Sequence, residues 1–95
     1  MKAPNRDTVS RLDALPNIGK AISADLRLIG ITHPRQLIGS DAYELHRTLS
    51  AKLGRDQDNC VIDVFLSAIH YMEGGYPLSW WSFTAERKRY LKGKL

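Results

Sequence analysis

Apolar residues recur along this chain at the three- and four-residue spacing of amphipathic helices. The broadest apolar stripe consists of Val61, Val64, Phe65, Ala68, Ile69 and Met72. It predicts a central helix that begins near Asp58 and ends at Gly74-Gly75. No segment shows the alternation of apolar and polar residues that is typical of strands. The pattern therefore predicts an all-α fold.

Two helices are predicted on either side of Pro16. The first begins after Asp7 or Thr8, whose side chains can cap its free amides. It ends before Pro16, because the residue that precedes a proline disfavours the α conformation. The second begins near Lys20 and ends at Gly30, which suits a left-handed cap. The inward-facing residues of these two helices are Val9, Leu12, Leu15, Ile22, Leu26 and Ile29.

Two further helices are predicted before the central one. The first is short, is capped by Thr32, has Pro34 in its first turn and ends at Gly39. The second begins after Asp41, which resembles the start of a capping box, and ends at Gly54. Their core residues are Leu37, Ile38, Leu45, Leu49 and Leu53. The count is about five helices, followed by a basic C-terminal extension that forms a helix or a tail.

Composition adds limits on size and compartment. The 95 residues are 43% hydrophobic and 25% charged, which is typical of one small globular domain. We expect this domain to span residues 1–84 and the extension to span residues 85–95. The chain has a single cysteine and a polar N-terminus, and it has no apolar run of the roughly 18 residues that cross a bilayer. These features favour a cytoplasmic protein without membrane contact.

The net charge of +4 is unevenly distributed along the chain. Residues 1–38 carry six basic and three acidic side chains, whereas residues 39–84 carry three basic and six acidic ones. Residues 85–95 carry five basic side chains and one acidic side chain. Such a layout suits a polyanion that contacts the two basic ends, although a basic tail that serves only solubility fits the charges equally well.

The segment that joins the first two helices, residues 16–20 (the hairpin), is the best candidate for a binding site. Pro16 fixes the exit from the first helix, while Asn17 and Gly19 can adopt positive φ. Ile18 can turn inward and hold the segment to the core. The amides of residues 17–21 are then free to bind an anion at a helix N-terminus, and Lys20 adds a cation.

Leu15, Pro16, Asn17, Ile18, Gly19 and Leu26 resemble the helix-hairpin-helix motif, L-P-G-I-G-x-x-x-A-x-x-L. The resemblance implies a SAM-like helical fold and binding of DNA backbone phosphates without sequence preference. Asn17 replaces a glycine of the motif and brings a side chain close to the approaching phosphate. Ser23 replaces a small alanine at a close contact between helices.

Residues 12–83 also resemble the small bacterial helix-hairpin-helix proteins of the pathogenicity-locus, or mitomycin-resistance-like, family. Four blocks carry this resemblance in order: LPNIGKAISADL, LIGITHPRQLIGSDAYEL, DNCVIDVF and the Trp80-Trp81 pair. The C-terminal domain of TfoX-type competence regulators shares the hairpin and the following G-I-T segment. A role in DNA-damage tolerance or repair follows from this resemblance alone.

The predicted function is therefore that of a DNA-binding module with no catalytic activity and no cofactor. Dimerisation or a larger protein partner would add a second hairpin and strengthen binding. The alternative is a helical protein-interaction module, because residues 1–84 carry nine basic and nine acidic side chains. The predicted contacts with nucleic acid are Pro16, Asn17, Ile18, Gly19, Lys20, Arg11, Arg27, Arg35, Arg87, Lys88 and Arg89.

Other candidate chemistry has simpler explanations. Lys20 could form a Schiff base, as in glycosylase-lyases built on this hairpin, but such enzymes need a base pocket and a longer chain. Cys60 and His70 lie roughly 15 Å apart along one helix, too far to share a metal. Cys60 is expected to be a small packing residue. Helix capping and a solvated face account for the acidic set Asp56, Asp58 and Asp63.

The aromatic residues Trp80, Trp81 and Phe83 have two interpretations. They could stack on nucleobases, as in proteins that bind single strands. Alternatively, at least one tryptophan folds over the central helix and completes the core. The second interpretation is the stronger one, because the chain has few other large aromatic side chains.

Overall fold

The computed structural model describes residues 1–93, which contain helices and turns but no strand. The α-helices of this part of the chain are α1 (Lys20–Leu28), α2 (Ala42–Leu53), α3 (Cys60–Met72) and α4 (Thr84–Gly93). Three 3₁₀ turns accompany them: Leu12–Ala14 before α1, Pro34–Leu37 between α1 and α2, and Trp80–Phe83 between α3 and α4. The all-α prediction is confirmed. The first and third predicted helices are 3₁₀ turns instead, so the predicted count of about five does not hold.

The first predicted helix is reduced to one 3₁₀ turn, because the residues before it form a separate turn. The side chain of Asn5 accepts a hydrogen bond from the amide of Asp7 (2.9 Å). The backbone carbonyl of Asn5 accepts hydrogen bonds from the amides of Thr8 and Val9. At the other end, Leu15 before Pro16 is extended, with φ −76° and ψ 154°. Only Leu12–Ala14 remain for a helical turn.

The predicted ends of the longer helices agree with the structure. Asp41 caps α2, because its Oδ1 accepts hydrogen bonds from two amides of the first turn (2.9 and 3.3 Å). Gly30 and Gly54, which follow α1 and α2, have the expected positive φ of 91° and 74°. The cap before Pro34–Leu37 is His33 rather than Thr32, since His33 Nδ1 accepts from the amide two residues later (3.1 Å).

Helix α3 is the central helix, as predicted, and packs against α2, α4 and two of the 3₁₀ turns. Its Phe65 is fully buried. Two residues expected in the core are exposed: Ile38 to 53% and Leu53 to 40%. In the 3₁₀ turn Pro34–Leu37, the first and fourth residues share the inner face, so the following Ile38 points outward. Leu53 is the last residue of α2.

A buried ion pair fastens α4 to α3. Asp63 is fully buried and accepts a hydrogen bond from Arg87 Nε (3.0 Å), while Arg87 is only 8% exposed. Thr84 Oγ1 donates to the second carboxylate oxygen of Asp63 (2.8 Å). The hydrogen bond to Asp63 raises the pKa of Arg87 above its already high value. The expectation that Asp63 lies on a solvated face is therefore wrong.

Helix α4 is consequently packed against the rest of the protein. Tyr90 of α4 stacks on Tyr43 of α2 with ring centroids 3.5 Å apart. The boundary expected between residues 84 and 85 falls inside α4, which begins at Thr84. The last two residues of the predicted extension, Lys94 and Leu95, lie outside the described residues.

Ser23 of α1 gives a testable prediction about stability. It is buried, as expected at a close helix contact, and its hydroxyl has no hydrogen-bond partner. Ser23→Ala should raise the free energy of unfolding by about 1 kcal/mol, because it removes a desolvated hydroxyl and favours the helix. Urea denaturation followed by circular dichroism measures this change.

Ser67→Ala is the matched control, since Ser67 is also buried in a helix but has hydrogen-bonded partners. This control should lose about 1 kcal/mol. A decrease in stability for Ser23→Ala would contradict the assignment of its hydroxyl as unpaired.

Candidate nucleic-acid interface

The hairpin is held in place by apolar side chains buried beneath it. Leu15, Pro16 and Ile18 are all fully buried in the core. Asn17 adopts the left-handed conformation with φ 66°, as predicted. Gly19 does not, because its φ is −103° and its backbone is extended. The turn therefore depends on one left-handed residue rather than two.

The first turn of α1 presents amides that the protein itself does not use. Gly19 is the N-cap residue and has no capping side chain. Within residues 1–93, the amides of Gly19, Lys20, Ala21 and Ile22 have no hydrogen-bond acceptor. Gly19 to Ala21 are exposed, so this turn faces solvent. Free amides at the positive end of a helix dipole are suited to an anion.

Glycine at position 19 is not required by the packing of the protein. A Cβ atom built on Gly19 would meet no other atom within 4 Å. Its negative φ is available to any residue. A Cβ atom here enters open solvent beside the uncapped turn, so a substitution at this position tests whether a ligand approaches there.

The side chain of Asn17 hydrogen-bonds to other parts of the protein, whereas the sequence predicted that it would lie close to an approaching phosphate. Its Nδ2 donates to Ser67 Oγ and to the carbonyl of Leu78, both at 2.8 Å. Ser67 Oγ also donates to the same carbonyl (2.6 Å). This three-residue cluster (Asn17, Ser67 and Leu78) joins the hairpin to α3 and to the segment before Trp80–Phe83.

Lys2 is a cation at the hairpin that the sequence did not reveal. Its Nζ donates to the carbonyl of Asp13 (2.6 Å), before the hairpin, and to the carbonyl of Ile18 (2.5 Å), within it. The contacts span 11 and 16 residues, so no periodic pattern could have indicated them. The N-terminal segment therefore places the Lys2 ammonium beside the hairpin, where two backbone carbonyls hold it.

The predicted flanking arginines differ in how free they are. Arg11 is exposed but pairs with Asp13 (2.9 Å), and their hydrogen bond raises the pKa of Arg11 and lowers that of Asp13. Arg35 donates to the carbonyl of Asp7 (3.1 Å). Arg27 is exposed in the last turn of α1, about 10 Å along the axis from Lys20, so it lies at the opposite end of that helix.

The basic residues of α4 are divided between its buried and exposed faces. Lys88 and Arg89 are exposed and available to a polyanion. Arg87 is buried against Asp63, so its predicted contact with nucleic acid is incompatible with this arrangement. The burial of Arg87 could not be predicted from the sequence, because Arg87 lies in a run of charged residues and such residues are usually exposed.

The aromatic residues after α3 also differ from the favoured expectation. Phe83 is buried and packs edge-on against His70, with ring centroids 5.5 Å apart. Trp80 is half-buried, and Trp81 is 64% exposed. Phe83 rather than a tryptophan thus supplies the buried ring of this segment. Trp81 presents most of its surface to solvent.

The remaining candidates for site chemistry are not assembled into a site. Cys60 is exposed at the start of α3, so the expectation that it is a small packing residue is wrong. No group of three or more His, Cys, Asp or Glu side chains in residues 1–93 is placed to hold a metal ion. Over the same range, no helix has both the length and the apolar character needed to cross a bilayer.

Comparison with known proteins gives a family match over most of the chain. The model of the family described as pathogenicity locus (Cdd1) matches residues 5–89. The chain is also 39% identical over 85 residues to a protein of Streptomyces lavendulae named "Mitomycin resistance protein McrB". That alignment covers 90% of this chain and 81% of the relative. No solved structure matches.

Proposed function

Since the chain belongs to the pathogenicity-locus family, we propose that it takes part in mitomycin resistance, or in DNA-damage tolerance or repair, as a DNA-binding module without sequence specificity. The observation that supports DNA binding is the exposed, uncapped first turn of α1 on a hairpin held rigid by buried side chains. We assign this hairpin the role of a helix-hairpin-helix motif.

In this proposal, a backbone phosphate binds at the first turn of α1. Its oxygens accept hydrogen bonds from free amides among Gly19, Lys20, Ala21 and Ile22. The helix dipole and the Lys20 ammonium add electrostatic attraction. Pro16 and Ile18 act from the core as positioning residues, because both are buried and can hold the turn without touching the ligand. Asn17 has the same positioning role through its left-handed backbone.

Few of the other predicted cationic contacts are unpaired, so binding should be weak and depend on salt. Arg27, Lys88 and Arg89 are the exposed candidates for further phosphate contacts, whereas Arg11 and Arg35 already have partners. If two to four phosphates are neutralised, a plot of the logarithm of the binding constant against the logarithm of the salt concentration should have a slope of about −2 to −4. The dissociation constant should lie in the ~10⁻⁴–10⁻⁶ M range of non-specific binding.

The test is Lys20→Glu, assayed by fluorescence anisotropy with a labelled blunt DNA duplex at several salt concentrations. The variant should lose about tenfold or more in affinity at low salt, because it replaces an attractive charge at the phosphate with a repulsive one. Its fold should persist, since an acidic residue in the first turn of a helix is favourable. Circular dichroism verifies the fold.

Lys52→Glu is the matched control, because Lys52 is an exposed lysine in the last turn of α2 and the change in net charge is the same. Gly19→Val is the second variant, which adds a side chain at the uncapped turn, where a Cβ atom meets no other atom within 4 Å. Equal affinities for Lys20→Glu and Lys52→Glu, together with full binding by Gly19→Val, would exclude the hairpin as the DNA site.

The second candidate function is a helical protein-interaction module that does not bind DNA. The exposed Trp81 and Tyr76 favour it, since aromatic side chains are frequent in protein interfaces. A flat anisotropy signal with duplex DNA at low salt would support this candidate.

We further propose that the protein is not a lyase, so borohydride should trap no adduct between Lys20 and an abasic site. A trapped adduct would overturn that proposal.

A further inference from the structure

A short aromatic segment next to the hairpin, residues 76–81, keeps several large side chains exposed to solvent. Tyr76 is 84% exposed, Leu78 is 37% exposed and Trp81 is 64% exposed. Phe83 is the buried ring of this region. Trp80 is half-buried and meets Trp81 edge-to-face, with centroids 5.5 Å apart and an interplanar angle of 83°. Trp81 therefore contacts Trp80 while most of its own surface faces solvent.

The aromatic segment is joined to the hairpin by hydrogen bonds. The carbonyl of Leu78 accepts from Asn17 Nδ2 and Ser67 Oγ, so the middle of the segment is fixed against the turn that precedes the free amides. Tyr76 and Trp81 are two and three residues from Leu78, so their Cα atoms lie within about 7 and 11 Å of its Cα. A stacked nucleic-acid strand advances about 3.4 Å per nucleotide, so a few nucleotides cover such distances.

The chemistry of the segment complements that of the hairpin. Residues 74–83 contain no charged side chain, so they add no attraction for phosphate and no repulsion. Exposed aromatic faces stack on unpaired bases of any sequence, whereas a continuous duplex hides the faces of its bases. The free amides of α1 and the Lys20 ammonium can hold the backbone of the same strand. This combination of rings and cations is what a single-stranded ligand requires.

We propose that the aromatic segment is a base-stacking platform, with Trp81 and Tyr76 as its stacking residues. The preferred ligand of the hairpin is then DNA with unpaired bases beside the bound phosphate, such as a duplex with a single-stranded overhang. This inference rests on the proposed function, because the hairpin supplies the phosphate contact from which the strand reaches the rings.

The first experiment compares two labelled probes: a blunt duplex and the same duplex with a ten-nucleotide thymidine overhang. The wild-type protein should bind the overhang probe about fivefold or more tightly than the blunt probe. Trp81→Ala should abolish this difference and leave the affinity for the blunt duplex unchanged. A loss of roughly 5- to 100-fold corresponds to the usual strength of one stacked base.

Two further variants separate stacking from other roles of the ring. Trp81→Phe should retain part of the preference, because it keeps an aromatic face. Leu53→Ala removes a different exposed apolar side chain, at the end of α2, and should leave the preference intact. Circular dichroism of Trp81→Ala should match the wild type, since the ring is mostly exposed.

Fluorescence gives a second readout. Trp80→Phe leaves Trp81 as the only tryptophan of the chain. The overhang probe should quench and shift the emission of that variant, and the blunt duplex should not.

Equal binding of the two probes, or an unchanged preference in Trp81→Ala, overturns the inference. So does a concentration-dependent dimer that Trp81→Ala dissociates in analytical ultracentrifugation, because a second copy would then be the occupant. Failure of the proposed function is recognised separately, by Lys20→Glu binding the blunt duplex as well as Lys52→Glu does.

Discussion

Replacing Asp63 with alanine is expected to destabilise the protein by about 3–5 kcal/mol. The variant leaves the Arg87 guanidinium buried without its carboxylate partner, and an uncompensated buried charge is costly. Thr84 loses its acceptor in the same substitution. Because these contacts fasten α4 to α3, the loss should appear both in the urea midpoint and as faster amide exchange along α4.

Two controls separate the buried pair from charge in general. Glu44→Ala breaks the exposed pair of Glu44 and Arg47, and should have little effect on the urea midpoint. The double variant Asp63→Leu/Arg87→Met removes both buried charges and should recover most of the lost stability. A urea midpoint of Asp63→Ala equal to that of wild type would mean that the pair does not hold α4.

Replacing Asn17 with valine is expected to cost about 3 kcal/mol of stability. A β-branched residue strains the left-handed backbone at φ 66°, and the change also removes two hydrogen bonds that hold the hairpin. Asn17→Gly is the matched control, because glycine accepts the same backbone and loses only the hydrogen bonds. It should cost about 1–2 kcal/mol. Urea denaturation of both variants gives the two contributions.

The same pair of variants tests whether hairpin geometry matters to binding. If the first turn of α1 binds phosphate, Asn17→Val should weaken duplex binding more than Asn17→Gly, under conditions in which both are folded. If Asn17→Gly weakened duplex binding more than Asn17→Val, the left-handed conformation would not matter to binding. Equal stability of the two variants would show that this conformation has no structural role.

Local pattern was enough to place most of the helices. The apolar stripe from Val61 to Met72 identified α3 because its spacing matches the period of a helix over three turns. Asp41 and Gly54 marked the ends of α2, since capping depends on residues close in sequence. The same reasoning was wrong for the first helix, where Asn5 forms a competing turn that takes up the residues needed.

The hairpin could be located from the sequence, but its support could not. Pro16, Ile18 and Gly19 defined the turn and the start of α1 by local rules. The partners of Asn17 lie 50 and 61 residues away, and Lys2 reaches across 16 residues to Ile18. Periodicity carries no information about such pairings. That the hairpin binds DNA remains a prediction from the free amides and the resemblance.

By itself, the sequence determined the all-helical class, the central position of α3 and the turn that frees the amides of α1, because spacing, caps and proline act within a few residues. Only the tertiary structure decided which charged and aromatic side chains are buried. Asp63, Arg87 and Phe83 are inside while Trp81 is outside, since burial depends on which distant partner satisfies each group. The placement of Asp63 between Ile62 and Val64 was the one local indication of a buried carboxylate.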